Sequence, residues 1–370
     1  MRLSIQIVSL LILAWCAGAA ALIAAGEASR GAEVLRTAGC TSCHVSGQPA
    51  PDLAKHMARN YSPTSVAATM WDHAPTAWTK LEGQGIAKPH LSESQVSDLF
   101  AYFCASRFFE ITGSARRGKQ FFTAGHCVDC HGTSPVLMTP AVAAVTWHTL
   151  GDPIALSQQM WNQSASMQQL ASKQEISLPK ITPQQLTDLL LFLENRPQNR
   201  QRIPRFTLAS AEEGRAVFQK KGCVDCHTGK LAFEKRSTPF TMAGVAAALW
   251  NHEIRPVKNR QPLSYAETQS LVAYIWAART SGDPDRGRKT FAKARCASCH
   301  GESGLAKAMI PKDADVSTAM VSALWDGGPA MYAAVQKRRM NWPRLTSGEI
   351  ADLGAYLQGV PSGGGAHLRP

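Results

Sequence analysis

No Ser/His/Asp triad, phosphate-cradling glycine loop, paired-carboxylate motif or Rossmann fingerprint stands out in this chain, which leaves the common hydrolytic, nucleotide-dependent and hydride-transfer chemistries without their residues. Sustained strand-type alternation is missing as well, so a β-sandwich or barrel is excluded and the chain reads as all-helical. Acidic side chains are in short supply, 27 against 39 basic, for a formal charge of +12. The excess is uneven: residues 31–112 carry 6 basic and 7 acidic side chains, whereas 113–205, 206–282 and 283–370 each come to +4. No nucleic-acid motif accompanies it, so nucleic acid is not an expected partner; an anionic protein or lipid surface fits better, and a simply solvated basic face fits equally well. Nor is cysteine left over for a disulfide framework. Eight of the ten cysteines fall in one repeated motif, leaving Cys16 in the N-terminal apolar segment and Cys104 in an apolar helical stretch. Cys104 reads as a small buried hydrophobe.

The repeated motif is Cys-x-x-Cys-His, and it occurs four times: Cys40-Cys43-His44, Cys127-Cys130-His131, Cys223-Cys226-His227 and Cys296-Cys299-His300. This is the attachment signature of c-type haem. Each thiol adds to a haem vinyl group as a thioether, and the adjacent histidine reaches the iron as its proximal axial ligand. Four copies predict four covalently attached haems. The rival reading is structural zinc, because paired cysteines also bind that ion. Zinc requires neither a histidine after every pair nor the shared upstream pattern found here. A glycine precedes each first cysteine by nine residues (Gly31, Gly118, Gly214, Gly287), and a large apolar residue follows that glycine by four (Leu35, Phe122, Phe218, Phe291).

The first 25 residues hold Arg2, an apolar run and small-residue cleavage options around residues 17–21, as an export signal does. The run is long enough to span a bilayer, so two readings stay open: a soluble periplasmic protein after cleavage, or one tethered to the inner membrane by an uncleaved helix. Export suits haem attachment, which takes place outside the bacterial cytoplasm.

First cysteines lie 87, 96 and 73 residues apart, the spacing of whole repeated domains. Each unit passes from the motif through a loop to a helix bearing Trp71, Trp161, Trp250 or Trp325. Each closes on a helix opened by a capping box: Ser92 with Gln95, Thr182 with Gln185, Ser264 with Glu267, Thr346 with Glu349. Ten residues past the cap stands an aromatic: Tyr102, Phe192, Tyr274, Tyr356. That aromatic is expected to pack on the Leu or Phe of the opening helix, with the glycine allowing the two helices to approach.

The Gly-led opening helix, the Cys-x-x-Cys-His motif and the closing helix with its aromatic resemble the class I cytochrome c fold over nearly all of residues 31–360. Trp71-Asp72-His73-Ala74-Pro75 and Trp250-Asn251-His252 are also similar to a Trp-Asn-His-Ala-Pro element of some bacterial tandem c-type cytochromes, whose members are generally taken as periplasmic electron carriers. The resemblance implies an all-α chain of four tandem class I-like cytochrome c domains. These are placed at 29–112, 113–203, 204–282 and 283–360, after a signal peptide or anchor at 1–28 and before a disordered tail at 361–370. Short linkers between domains one and two and between three and four, with a longer polar stretch at 195–202, predict two tight pairs and a hinge.

Distal ligands follow from aligning the repeats on tryptophan. Two residues later come His73, Gln163, His252 and Gly327; six later come Ala77, Met167, Pro256 and Met331. Positions four apart share a helical face, so the complementary pattern predicts His73 and His252 as second ligands in domains one and three, and Met167 and Met331 in two and four. Met340 competes with Met331, but its counterparts are Ile86 and Ile176, which points to packing. His56, His90, His126, His148 and His367 have no repeat counterpart.

Together these features predict an electron carrier with redox protein partners: a quinol-oxidising complex or dehydrogenase as donor, an oxidase, reductase or other cytochrome as acceptor. Two alternatives stand beside it. One is a haem enzyme, a peroxidase or small-molecule reductase, with an open distal position if the methionines do not bind. The other is a cytochrome subunit of a dehydrogenase complex.

Overall fold

A computed structural model describes residues 26–45, 47–48, 50–53, 62–106, 113–132, 151–194, 207–233, 241–252, 261–277, 282–300, 310 and 314–359. The leader through residue 25, the linker at 195–202, the tail at 361–370, and His56, His148 and His367 lie outside them. Among the described residues no helix is long and apolar enough to cross a membrane.

The fold is all-α. Among the described residues each repeat supplies three longer helices: α1 (Ala28–Thr37), α2 (Pro63–Gly83) and α3 (Glu93–Ser106) in the first; α4 (Ala115–Ala124), α5 (Pro153–Lys173) and α6 (Pro183–Leu193) in the second. The third holds α7 (Ala211–Lys220), α8 (Met242–Trp250) and α9 (Tyr265–Ala277), and the fourth α10 (Pro284–Lys293), α11 (Val316–Lys337) and α12 (Ser347–Gly359). All four expected capping boxes form; in the fourth, Glu349 N donates to Thr346 Oγ1 at 3.2 Å while Thr346 N donates to Glu349 Oε2 at 2.9 Å. Residues 26–28, which the sequence assigns to the leader, belong to the folded part: Gly26–Glu27 pairs antiparallel with Thr207–Leu208, and Ala28 is fully buried.

Within each repeat the opening helix crosses the closing helix at the expected glycine. A Cβ at Gly31, Gly118, Gly214 or Gly287 would sit 2.0, 2.0, 1.9 or 2.0 Å from the carbonyl oxygen of Asp98, Asp188, Ser270 or Asp352, and under 3 Å from the Cβ of the repeat aromatic. Only hydrogen fits there. One turn on, the expected ring contacts form: Phe122 with Phe192, Phe218 with Tyr274, Phe291 with Tyr356. The sequence reading missed a second fastener. Arg30, Arg117 and Arg286, each directly before the glycine, grip Asp98, Asp188 and Asp352 with two nitrogens at 2.8–2.9 Å. The same carboxylates accept the backbone amides of Glu27, Ser114 and Asp283 at 2.7 Å. In the third repeat Glu213 and Ser270 stand in these places, so that crossing lacks the bidentate pair.

Domain pairing departs from the expectation. The first repeat packs on the fourth, α2 against α11 and α12, and the second packs on the third, α5 and α6 against α8 and α9. A further contact joins one to three, where Phe100 meets Trp276 and Cys104, 3% exposed, lies 4.0 Å from the Met242 sulfur. Linker length limits reach but carries no information about which apolar faces match. The matching faces are built on the repeat tryptophan and its neighbour. Asp72 accepts from Leu345 N, Asn162 from Leu263 N and Asn251 from Ile181 N, at 2.8–3.0 Å, each acceptor on one domain and each amide on its partner.

Pro75 contributes to the first interface through what it lacks. With no N–H, it leaves the Trp71 carbonyl without a helical donor. The Trp342 indole fills the gap, donating to Trp71 O at 3.0 Å, while Trp71 Nε1 donates to Pro343 O at 2.8 Å and the two rings stack at 4.9 Å. Trp78 and Trp325 meet edge to face at 6.0 Å in the same interface, with both indole N–H groups buried and unpaired. Each such orphan costs about 1–3 kcal/mol, so this interface depends on apolar burial.

Candidate haem-binding sites

Every Cys-x-x-Cys-His motif adopts one local geometry. A residue in the left-handed region precedes the first cysteine: Gly39 (φ 75°), His126 (φ 61°), Gly222 (φ 71°) and Arg295 (φ 59°). The chain then makes a single helical turn closed by the histidine amide on the first cysteine's carbonyl, at 3.0, 2.8, 3.0 and 2.9 Å for His44, His131, His227 and His300. Residues i, i+3 and i+4 of a turn lie on one face, so both thiols and the imidazole face the same way. That is what attachment of one porphyrin at three points requires. No described cysteine is in a disulfide.

The first cysteines are the more enclosed. Burial pushes the thiols of Cys40 and Cys127 up to about 11 and raises those of Cys223 and Cys296, while Cys226 and Cys299 are exposed. Thiols so poor in thiolate are slow in adventitious oxidation at neutral pH. Two proximal imidazoles show the orientation of metal ligands. His44 Nδ1 donates to Pro51 O at 2.9 Å and His227 Nδ1 to Leu231 O at 3.3 Å; a carbonyl only accepts, so the proton sits on Nδ1 and Nε2 carries the lone pair. Phe233 stacks on the His227 ring at 4.5 Å and adds a second restraint.

The structure brings both candidate distal histidines to their proximal partners. Ring centroids of His44 and His73 are 5.6 Å apart, and those of His227 and His252 are 6.1 Å apart. Two imidazoles bound to one metal from opposite sides, with metal–nitrogen bonds of about 2 Å, have centroids about 6 Å apart. Burial and the adjacent His44 lower the pKa of His73 and so favour the neutral ring that binds metal. Their backbones differ, however. His73 is mid-helix in α2, whereas α8 stops at Trp250 and His252 follows the C-cap residue Asn251.

Met167 and Met331 lie half-buried on α5 and α11 at their repeat positions. Met340 sits at the motif's flank, its sulfur 4.0 Å from Ser298 Oγ. It occupies the place of Ile86 and Ile176: each follows a left-handed residue at a helix C-terminus and donates its amide to the carbonyl five residues back, at 3.0, 2.9 and 2.9 Å. A Cβ on Gly39 would meet Ile86 Cγ2 at 3.0 Å, so this position packs against the chain just before the first cysteine. His90 and His126 are exposed and bonded to Asp326 and Asp129.

Sequence reasoning missed the Pro51 and Leu231 carbonyls, the Phe233 stack and a contact of Trp161 with His252, since none has a fixed spacing from the motif. Among the described residues no cluster of three or more His, Cys, Asp or Glu is arranged to hold a metal ion. In comparisons with known proteins, the family model described as Cytochrome c matches residues 28–103 and 284–361, the first and fourth repeats. No curated protein and no solved structure matches the chain. Those two segments are therefore cytochrome c domains, and such domains indicate haem binding and electron transfer.

Proposed function

We propose that the chain is a tetrahaem c-type cytochrome of the periplasm, one haem per repeat, passing electrons between respiratory redox partners. The observation that carries this reading is the sameness of the four motifs. The second and third repeats, outside the family match, make the same left-handed entry, the same histidine-to-cysteine turn and the same glycine crossing as the first and fourth. Bound haem supplies one-electron ferric–ferrous exchange. The chain's residues would anchor it by two thioethers in every repeat, and in the first and third they orient the proximal imidazole through a backbone carbonyl and offer a second imidazole.

Electron flow is expected to follow packing rather than chain order, from one to four and from two to three, with the one–three contact joining the pairs. Tunnelling falls off with distance, and neighbours in space are the competent pairs. Export through residues 1–25, whether followed by cleavage or retained as an anchor, places the protein where haem attachment occurs. The three repeats of charge +4 suit an anionic face on a quinol-oxidising complex, dehydrogenase, oxidase or other cytochrome.

Intact mass of the exported protein tests the count: four haem additions support the reading, and two, confined to the first and fourth repeats, refute it. Low-temperature electron paramagnetic resonance tests the carrier role. Fully low-spin ferric signals support it, whereas a high-spin species that takes up external ligands favours the open-site enzyme.

A further inference from the structure

His252 lies past the end of its helix, and part of what surrounds it belongs to another domain. Its neighbour Asn251 is clamped on both sides to the second repeat, accepting from Ile181 N at 2.8 Å and donating to Ile181 O at 2.6 Å. Trp250, one residue further back, donates to Pro179 O at 3.1 Å. The ring itself meets Trp161 of α5 edge to face, with centroids 5.3 Å apart and planes at 76°. Trp161 is in turn fixed, its indole donating to Gln261 O at 3.2 Å, and the adjacent Asn162 exchanges two hydrogen bonds of 2.9 Å with Leu263. His252 therefore has His227 of its own domain on one side and Trp161 of the second domain on another.

The geometry points to Trp161 as a positioning residue that holds His252 in its ligand orientation, so that the third repeat's ligand set is completed by docking of the second. This rests on reading His252 as a haem ligand. A histidine just beyond a helix end has more than one rotamer open to it, and a wall of fixed aromatic surface selects among them. His73, inside α2, has the backbone of a long helix for the same purpose.

The test uses the full-length holoprotein with haem content measured by mass, and reads electron paramagnetic resonance of the ferric state beside the thermal midpoint. The control His252→Ala should remove one bis-imidazole low-spin signal; if it removes none, the ligand reading fails and the proposal with it. Given that control, Trp161→Leu should convert part of that same signal, up to about a quarter of the total haem, to high spin. Added imidazole should restore it, and Trp161→Phe should keep it. A Trp161→Leu protein that melts lower but leaves the signal unchanged overturns the proposal, because that is the signature of packing alone. Should Trp161→Leu fail to yield haem-loaded protein, Asn251→Asp decides. It keeps the acceptor for Ile181 N but loses the donor to Ile181 O, so a shifted signal supports the docking requirement and an unshifted one overturns it.

Discussion

Gly287→Ala should destabilise the fourth domain although alanine is the better helix former. The added Cβ would lie 2.0 Å from the Asp352 carbonyl oxygen and 2.7 Å from the Tyr356 Cβ. An ordinary carbon–oxygen contact is about 3.3 Å or more, so α10 and α12 must separate by over about 1 Å. The obstacle is backbone, which cannot rotate away as a side chain can. Overpacking costs about 1–3 kcal/mol, and a backbone obstacle puts this case near the top of that range. Better helix propensity returns about 1 kcal/mol, for a net loss of about 2 kcal/mol. Separation also loosens the Arg286–Asp352 grip and the Phe291–Tyr356 contact. Gly348→Ala in α12 is the matched control, since nothing lies within 4 Å of its Cβ position, and there a gain of ~0.5 kcal/mol is expected. Thermal unfolding followed by circular dichroism reads both, with Gly287→Ala lowering the midpoint by about 5 °C or more. A Gly287→Ala protein that melts with or above the parent would refute the close crossing.

Asp352 gives a pH-dependent prediction. Burial disfavours its charge, but the Arg286 guanidinium and the Asp283 amide outweigh that and hold the carboxyl below its ordinary value. Its contribution is thus present above the unfolded-state pKa of about 4 and is lost as pH falls through the lowered folded value. Asp352→Asn should be less stable at neutral pH and lose less on acidification, as acid titration of the unfolding midpoint would reveal. Trp342→Ala removes the Trp71 stack and the donor to the Trp71 carbonyl, so the first and fourth domains should part, with faster limited proteolysis and a larger solution radius; an unchanged radius counts against the pairing. Met331→Leu should abolish any His/Met signature of the fourth haem while Met340→Leu leaves it, and the reverse result would exchange the two roles. A redox titration should find two lower and two higher midpoints, because thioether favours ferrous iron more than imidazole does.

Helical class, the four motifs, the capping boxes and the glycine crossings were all legible in the sequence, because each depends on contacts at fixed local spacing or on one repeated close approach. Gly31, Gly118, Gly214 and Gly287 announce themselves by recurring nine residues before a cysteine. The Arg–Asp grip could have been found in the same way, since Arg30, Arg117 and Arg286 all precede that glycine. The position of Met340 was legible too, through Ile86 and Ile176, whose aliphatic side chains fill the same helix-end contact.

Which domain faces which was not legible. The linkers suggested neighbours in the chain, but the apolar faces and the Trp-Asp and Trp-Asn elements join one to four and two to three. The sequence alone determined where porphyrin can be attached, because two thiols and an imidazole on one helical turn are a local matter. Only the tertiary structure decided what stands beside the attachment points of the first and third repeats. His73 is delivered by a long helix of its own domain, while His252 is delivered past a helix end and met by a tryptophan about 90 residues away in sequence. Complementary surface between distant segments, which no spacing rule encodes, is the physical reason.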